Sequence, residues 1–227
     1  MELPADQATR STLTGTLPGQ ARAGARYLLS FTAGGLFRRE APLVAACYLA
    51  PGAGDWNLTR HQILADNLLQ IRTAAAAIRL SRELIARLAL LDQAELEALN
   101  GANPRDLGYL LWAAACRRYA FIHDFAVEIL REYHLTRRRH LALADFDAFR
   151  NAKALGHPEL DTLTANTQRK LRQNLFRMVR EADLLDDQGQ IQPALLGPSL
   201  ARLLARPGPA SLLIFPASDL EIQRWLQ

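Results

Sequence analysis

The chain is short of the residues that carry most site chemistry. Its 227 residues include two cysteines, Cys47 and Cys116. That is too few for a disulfide-stapled secreted scaffold, and they lack the close pairing of a zinc site. Both stand in apolar helical patterns and read as buried free thiols in a reducing cytoplasm. The five histidines, His61, His123, His134, His140 and His157, show no HxH, HExxH or HxxxH spacing. Neither GxGxxG nor GxxxxGK followed by Ser or Thr occurs, so no metal site and no nucleotide loop is indicated. His123-Asp124 reads as a capping Asp beside a helix-surface His. Cys116, seven residues before His123, has no third group to orient the imidazole, which argues against a nucleophile pair. The expectation is a protein without catalytic residues, cofactor or metal.

Long apolar runs are also missing. The most apolar stretch, Leu107 to Phe125, is interrupted by Arg117 and Arg118, and nothing reaches the ~20 uncharged residues a membrane span requires. Met1 to Ala25 has no apolar core of the kind a signal peptide needs, so a cytoplasmic protein with no membrane partner is expected. Aromatic residues are sparse, at 7%, whereas Ala and Leu are abundant. This favours helices packed through aliphatic side chains over a β-sandwich. Lysine is nearly absent: 25 of the 27 basic residues are Arg, the others being Lys153 and Lys170. A GC-rich genome would produce this, and so would selection for bidentate phosphate contact. Composition leaves both open.

What is present is a series of helical patterns with clear punctuation. Residues 1–25 read as a flexible leader. Gly34-Gly35 opens a helix to about Ala50, stopped by Pro51-Gly52. Asp55 caps a second, from about Asn57 to Leu69, and Thr73 caps a third reaching Leu91. Stepped at ~100° per residue, Ile78, Leu84, Ile85 and Leu88 fall on one side of the third helix and Arg79, Arg82 and Arg87 on the other. Residues 26–91 thus predict a helix-turn-helix-like module. Asp92 caps a short acidic helix, Pro104 opens the next, and a further one runs from about Phe121 to Tyr133. Residues 92–140 predict a central helical hub, ending in the basic run Arg137-Arg138-Arg139-His140, which reads first as a solvated loop and second, from its position between two helical units, as a phosphate contact.

From residue 141 the pattern restarts. A helix spans about Ala144 to Ala154, Gly156-His157-Pro158 breaks it, and Asn166 or Thr167 starts a helix to about Ala182. Its apolar face holds Leu171, Leu175, Met178 and Val179; Arg169, Lys170, Gln173, Arg177 and Arg180 lie opposite. Asp186-Asp187-Gln188-Gly189 then turns the chain, and Gln190-Ile191-Gln192 can return as a strand. Helix, turn, basic helix and hairpin is the order of a winged helix, assigned here to residues 141–205. Residues 206–227 form a tail with a β-prone run, Leu212 to Phe215, and a last helix from Asp219. The fold class is all-α with a minor β wing: two helix-turn-helix or winged-helix-like modules around a helical hub.

Four stretches carry a family resemblance. They are Ser30-Phe31-Thr32-Ala33-Gly34-Gly35-Leu36; Asn67-Leu68-Leu69-Gln70-Ile71-Arg72; Leu111-Trp112-Ala113-Ala114-Ala115; and Thr167-Gln168-Arg169-Lys170-Leu171-Arg172-Gln173 running on to Leu185-Asp186-Asp187. In order and spacing, over about residues 27–197, the chain resembles the small A-subunit family of bacteriophage-exclusion (BREX) defence systems, BrxA. The resemblance implies a mostly helical, non-catalytic binder of double-stranded DNA. It also implies a fold similar to winged helix-turn-helix proteins and likened to the RNA-binding antitermination factor NusB. The candidate contacts are Arg72, Arg79, Arg82 and Arg87 on the first basic helix and Arg169, Lys170, Arg172, Arg177 and Arg180 on the second. Two other readings stay open: an adaptor subunit binding other phage-defence proteins, and a NusB-like RNA binder.

Overall fold

The computed structural model describes residues 26–32 and 34–227; the stretch read as a leader lies outside the described residues. Among the described residues eleven α-helical segments follow one another: α1 (Glu40–Leu49), α2 (Trp56–Ala65), α3 (Ala74–Leu88), α4 (Gln93–Gly101), α5 (Pro104–Arg118), α6 (Ala120–Phe125), α7 (Glu132–Leu135), α8 (Leu143–Ala154), α9 (Ala165–Glu181), α10 (Pro198–Leu204) and α11 (Asp219–Leu226). A π-helical turn, Ala126–Arg131, joins α6 to α7 in one rod. Side chains set most starts. Asp55 accepts from the Asn57 and Leu58 amides, Thr73 from Ala76, and Thr164 from Thr167. Asp92–Glu95 and Ser218–Glu221 form reciprocal capping boxes. Each such cap contributes about 1 kcal/mol.

Two boundaries differ from the sequence pattern by about a full turn, and α3 ends at Leu88 rather than Leu91. Helix α1 begins at Glu40 rather than near Leu36, because Gly34, Gly35 and Phe37 take φ values of 96°, 53° and 61° and form a turn that seats Leu36 and Phe37 in the core. Helix α2 stops at Ala65 instead of Leu69, where Asn67 and Gln70 enter the left-handed region.

Helix α5 is the hub. Every residue from Gly108 to Cys116 is buried, and the Trp112 indole donates to the Ile214 carbonyl at 3.0 Å. The aromatics, few as they are, gather beside it: Phe121 and Phe125 of α6 meet Phe146 and Phe149 of α8, and Tyr27 and Phe31 extend the group. Buried side chains from Tyr27 to Ile222 form one contiguous cluster, so the modules read from sequence share a core. The tail belongs to it. Leu212–Phe215 is not a strand: Leu212 to Ile214 end a 3₁₀ turn, Pro209–Ile214, and Phe215 caps it. Gly208 (φ 138°) and Pro209 start that turn, and Ser211 Oγ holds it to the Leu204 and Gly208 carbonyls.

Gly108 sets the distance between α5 and the end of α9. A Cβ there would lie 3.0 Å from the Glu181 carbonyl oxygen and 3.2 Å from Ala182 Cα, both main chain. Gly108→Val is therefore expected to destabilise the fold by about 1–3 kcal/mol, read as a lower denaturant midpoint at unchanged slope. An unshifted midpoint would contradict this packing. Among the described residues β-structure is limited to two isolated antiparallel bridges, His140 with Gln190 and Leu185 with Ile191, so the expected wing is not a strand ladder. No described helix is long and apolar enough to cross a membrane.

Candidate nucleic-acid interface

Helix α9 has two distinct faces. Leu171, Leu175, Phe176, Met178 and Val179 are buried. Arg169, Lys170, Gln173, Arg177 and Arg180 are exposed and fall within an arc of ~100° when stepped along the helix. No acidic residue lies inside that arc. Glu181 stands at its edge, but its carboxylate accepts the Leu36 amide and the Arg177 Nε–H, the latter at 2.7 Å. Arg38 closes the end of the helix by donating to the Glu181 carbonyl at 2.7 Å and to the Pro104 carbonyl at 2.6 Å, which satisfies one of the orphan groups of a helix C-terminus. Arg172 lies off this face: it is half-buried and paired with Asp147 of α8 at 2.5 Å. Arg169 reaches Asn166 Oδ1 at 2.8 Å.

The chain then turns directly into a short hairpin. Asp186 stabilises the turn, accepting from the Gln188 amide (2.9 Å), the Gln190 amide (2.8 Å) and Gln192 Nε2 (3.0 Å). The segment before α8 lies alongside, with the Ile191 amide donating to the Arg139 carbonyl at 2.7 Å.

On α3 the expected contacts divide. Arg72, just before the capping Thr73, is exposed, as are Arg79 and Arg82. Arg87 is not: it is 3% exposed and does not belong to an outer face. Its Nη1 donates to the Gly35 carbonyl at 2.6 Å and its Nε to Glu83 at 2.7 Å. Its guanidinium lies 5.0 Å from the Phe37 ring and 5.6 Å from that of Tyr119. Wheel position explains the misreading, since Arg87 is only ~80° from Arg79 and borders the apolar arc. The last turn of α3 is covered by the Gly34–Phe37 turn, which a single-helix pattern does not reveal. Glu83 faces inward to Arg87 and to the Tyr119 hydroxyl; burial and that carboxylate push the Tyr119 phenol up to about 12.

A second buried polar group escaped the sequence reading. His123 is buried rather than on a helix surface, and Asp124 is not a cap. Asp124 accepts from the Tyr27 hydroxyl at 2.6 Å, with His123 at 3.3 Å and Lys153 at 3.5 Å. Glu159 takes the Tyr27 amide at 2.6 Å and faces His157 at 3.1 Å, while His157 stacks on the Tyr27 ring. Burial alone would raise both carboxyls. The hydrogen bonds from His123 and Tyr27, and the Lys153 charge, hold Asp124 below its ordinary value. The Tyr27 amide and His157 do the same for Glu159. With folded values below unfolded ones, the stabilisation is full at neutral pH and drains as pH falls from the ordinary carboxylate range of about 4 to the lower folded values. Thermal melts should therefore be flat near neutrality and fall below that range, less steeply in Asp124→Asn. Rising stability on acidification would contradict the arrangement.

Cys47 is half-buried and Cys116 buried. Among the described residues no group of three or more His, Cys, Asp or Glu is placed to hold a metal ion.

A model of the BrxA family matches residues 25–208. The chain belongs to the BrxA family. This BrxA-family chain is 25% identical over 183 residues to the BREX protein BrxA of Escherichia coli O9:H4 (strain HS), an overlap covering 79% of this chain and 84% of that one. Its fold is similar to that of an uncharacterized protein from Magnetospirillum magneticum known from a crystal structure. The TM-score is 0.74 at 19% identity, over 85% of this chain and 100% of the other. The family match contains α1 to α10, hence both basic helices; α11 lies beyond it.

Proposed function

We propose that this BrxA-family protein is a non-catalytic, double-stranded-DNA-binding component of a BREX phage-defence system. The observation that carries this reading is the outer face of α9: Arg169, Lys170, Arg177 and Arg180 around Gln173, exposed and free of interleaved acid. The order of elements supports it. The α6–α7 rod, an extended segment at residue 140, α8, α9 and a hairpin bridged back to residue 140 follow the order of a winged helix-turn-helix protein, in which the last helix enters the major groove. Arg–guanine and Gln–adenine pairs are the base contacts this set of side chains can make. Arg72, Arg79 and Arg82 on α3 supply a second basic face.

The test is a gel shift on a short duplex across a salt series. Contacts from four cations predict a slope of log K against log salt of about −3 to −4, at ~0.9 per phosphate. No shift at low salt, or an affinity indifferent to salt, overturns the reading. Preference for a hairpin RNA competitor over duplex would replace it with RNA binding. A second reading, an assembly subunit docking other defence proteins, draws on large apolar side chains left in solvent, Leu155 at 93% and Leu58 at 60% exposed. It predicts capture of those proteins that survives charge reversal on α9.

A further inference from the structure

We infer that the groove between the end of α7 and the base of the hairpin is a separate anion site, taking a phosphate group between Arg137 and Arg139. In the sequence the run Arg137-Arg138-Arg139-His140 is uniform; the structure sorts it. Arg138 turns to α8, 2.6 Å from Asp145 Oδ1 and 3.9 Å over the Tyr133 ring. Its two neighbours do the opposite. Arg137 and Arg139 are exposed, make no ion pair among the described residues, and line an open groove of about 690 Å³ with His134, Gln190 and Gln192. That size is within the range of small-ligand sites. The backbone sets where the two arginines lie. Residues 139–141 are extended against the hairpin, the Arg139 carbonyl accepting from Ile191 and the Leu141 amide donating to Gly189, so Arg139 and His140 point to opposite faces. Arg137 is held in the left-handed region (φ 61°), its amide on the His134 carbonyl.

One carboxylate, Asp186, lines the groove as well, with its oxygens turned to neutral N–H donors. Asp186 accepts from three donors of its own turn. Glu221 accepts from the Ser218 amide and hydroxyl, with His134 3.9 Å away. Asp219 pairs with Arg131 at 2.7 Å. Two guanidiniums that make no ion pair among the described residues therefore face a cleft edged by amide side chains and the hydrogen-bonded Asp186, and their fork geometry matches a phosphate. The phosphate can belong to a nucleic-acid backbone or to a free phosphorylated small molecule. The site does not depend on the reading of α9.

The experiment uses the full chain and three probes at low salt: inorganic phosphate and dAMP by calorimetry, and a short duplex by gel shift. Arg137→Glu with Arg139→Glu is compared with wild type, with Arg138→Gln and with Lys170→Glu/Arg180→Glu. Because Arg137 and Arg139 hold nothing in place, the groove variant should melt as wild type does. Arg138→Gln should melt lower and keep its binding. A tenfold or greater loss of duplex affinity in the groove variant, with the salt slope reduced by about 2, assigns the site to a nucleic-acid phosphate. Binding of dAMP or phosphate by wild type, lost tenfold in the groove variant while duplex affinity holds, assigns it to a free ligand. If wild type binds neither small probe and the groove variant treats duplex as wild type does, the site is overturned. Should Lys170→Glu/Arg180→Glu alone lose the duplex in that case, the α9 reading stands without the groove. Arg137→Gln/Arg139→Gln repeats the test without charge reversal.

Discussion

Arg87→Met is expected to cost about 3–5 kcal/mol of stability, the scale for removing one partner of a buried ion pair. The size follows from what the guanidinium joins. It links α3 to the Gly34–Phe37 turn through the Gly35 carbonyl, neutralises Glu83, and sits between the rings of Phe37 and Tyr119 with Met178 of α9 at 3.7 Å. Methionine keeps much of the volume but leaves Glu83, 15% exposed, without its counter-charge. Adding Glu83→Gln to Arg87→Met should therefore recover part of the loss, a non-additivity readable from denaturant midpoints of the two singles and the double. If Arg87→Met melts as wild type and binds duplex more weakly, Arg87 is a surface contact after all, and the placement described here is wrong.

Charge reversal on α9 should do the opposite. Lys170→Glu with Arg180→Glu is expected to leave the melting transition within about 0.5 kcal/mol of wild type, because both side chains are exposed and make no ion pair among the described residues. The duplex salt slope should drop by about 2 and affinity should fall for every duplex sequence alike. Arg172→Gln is the informative contrast. It loses the Asp147 pair but points away from the basic arc, so stability should move while duplex affinity does not. Gel shifts and thermal melts on the same preparations check both. Equal losses of affinity in Arg172→Gln and in the double variant would mean that the arc does not define the contact surface.

Much of the architecture was legible where local chemistry decides it. Asp55, Thr73 and Asp92 cap helices as their residue types predict, and Pro104 opens α5. The hub was readable as a long apolar run because α5 is buried all round. The two faces of α9 were readable because one side of that helix meets solvent and the other the core. What escaped depends on neighbours distant in sequence. Arg87 is taken into the core by a turn some fifty residues earlier, Asp124 is engaged by Tyr27 at the start of the described chain, and His123 lies among Cys116, Leu204 and Ile214. Leu212–Phe215 has the composition of a strand, but a short apolar run does not distinguish strand from turn, and Trp112 fixes it as a 3₁₀ turn. The basic run at 137–140 could not be divided without knowing that Arg138 meets Asp145 and Tyr133 while residues 139–141 lie extended against the hairpin. The family was legible from the order of four segments, since none of them is a chemical motif.

The central claim is that the outer face of α9 meets the nucleic acid. Its most direct test is an amide chemical-shift map of the isotope-labelled protein, 25.2 kDa, titrated with duplex DNA at low salt. The account predicts the largest shifts at Arg169, Lys170, Gln173, Arg177 and Arg180, with smaller ones at Arg79 and Arg82 and none at Arg87. Shifts absent from 165–181, or confined to α1, α4 and the exposed leucines, would contradict it.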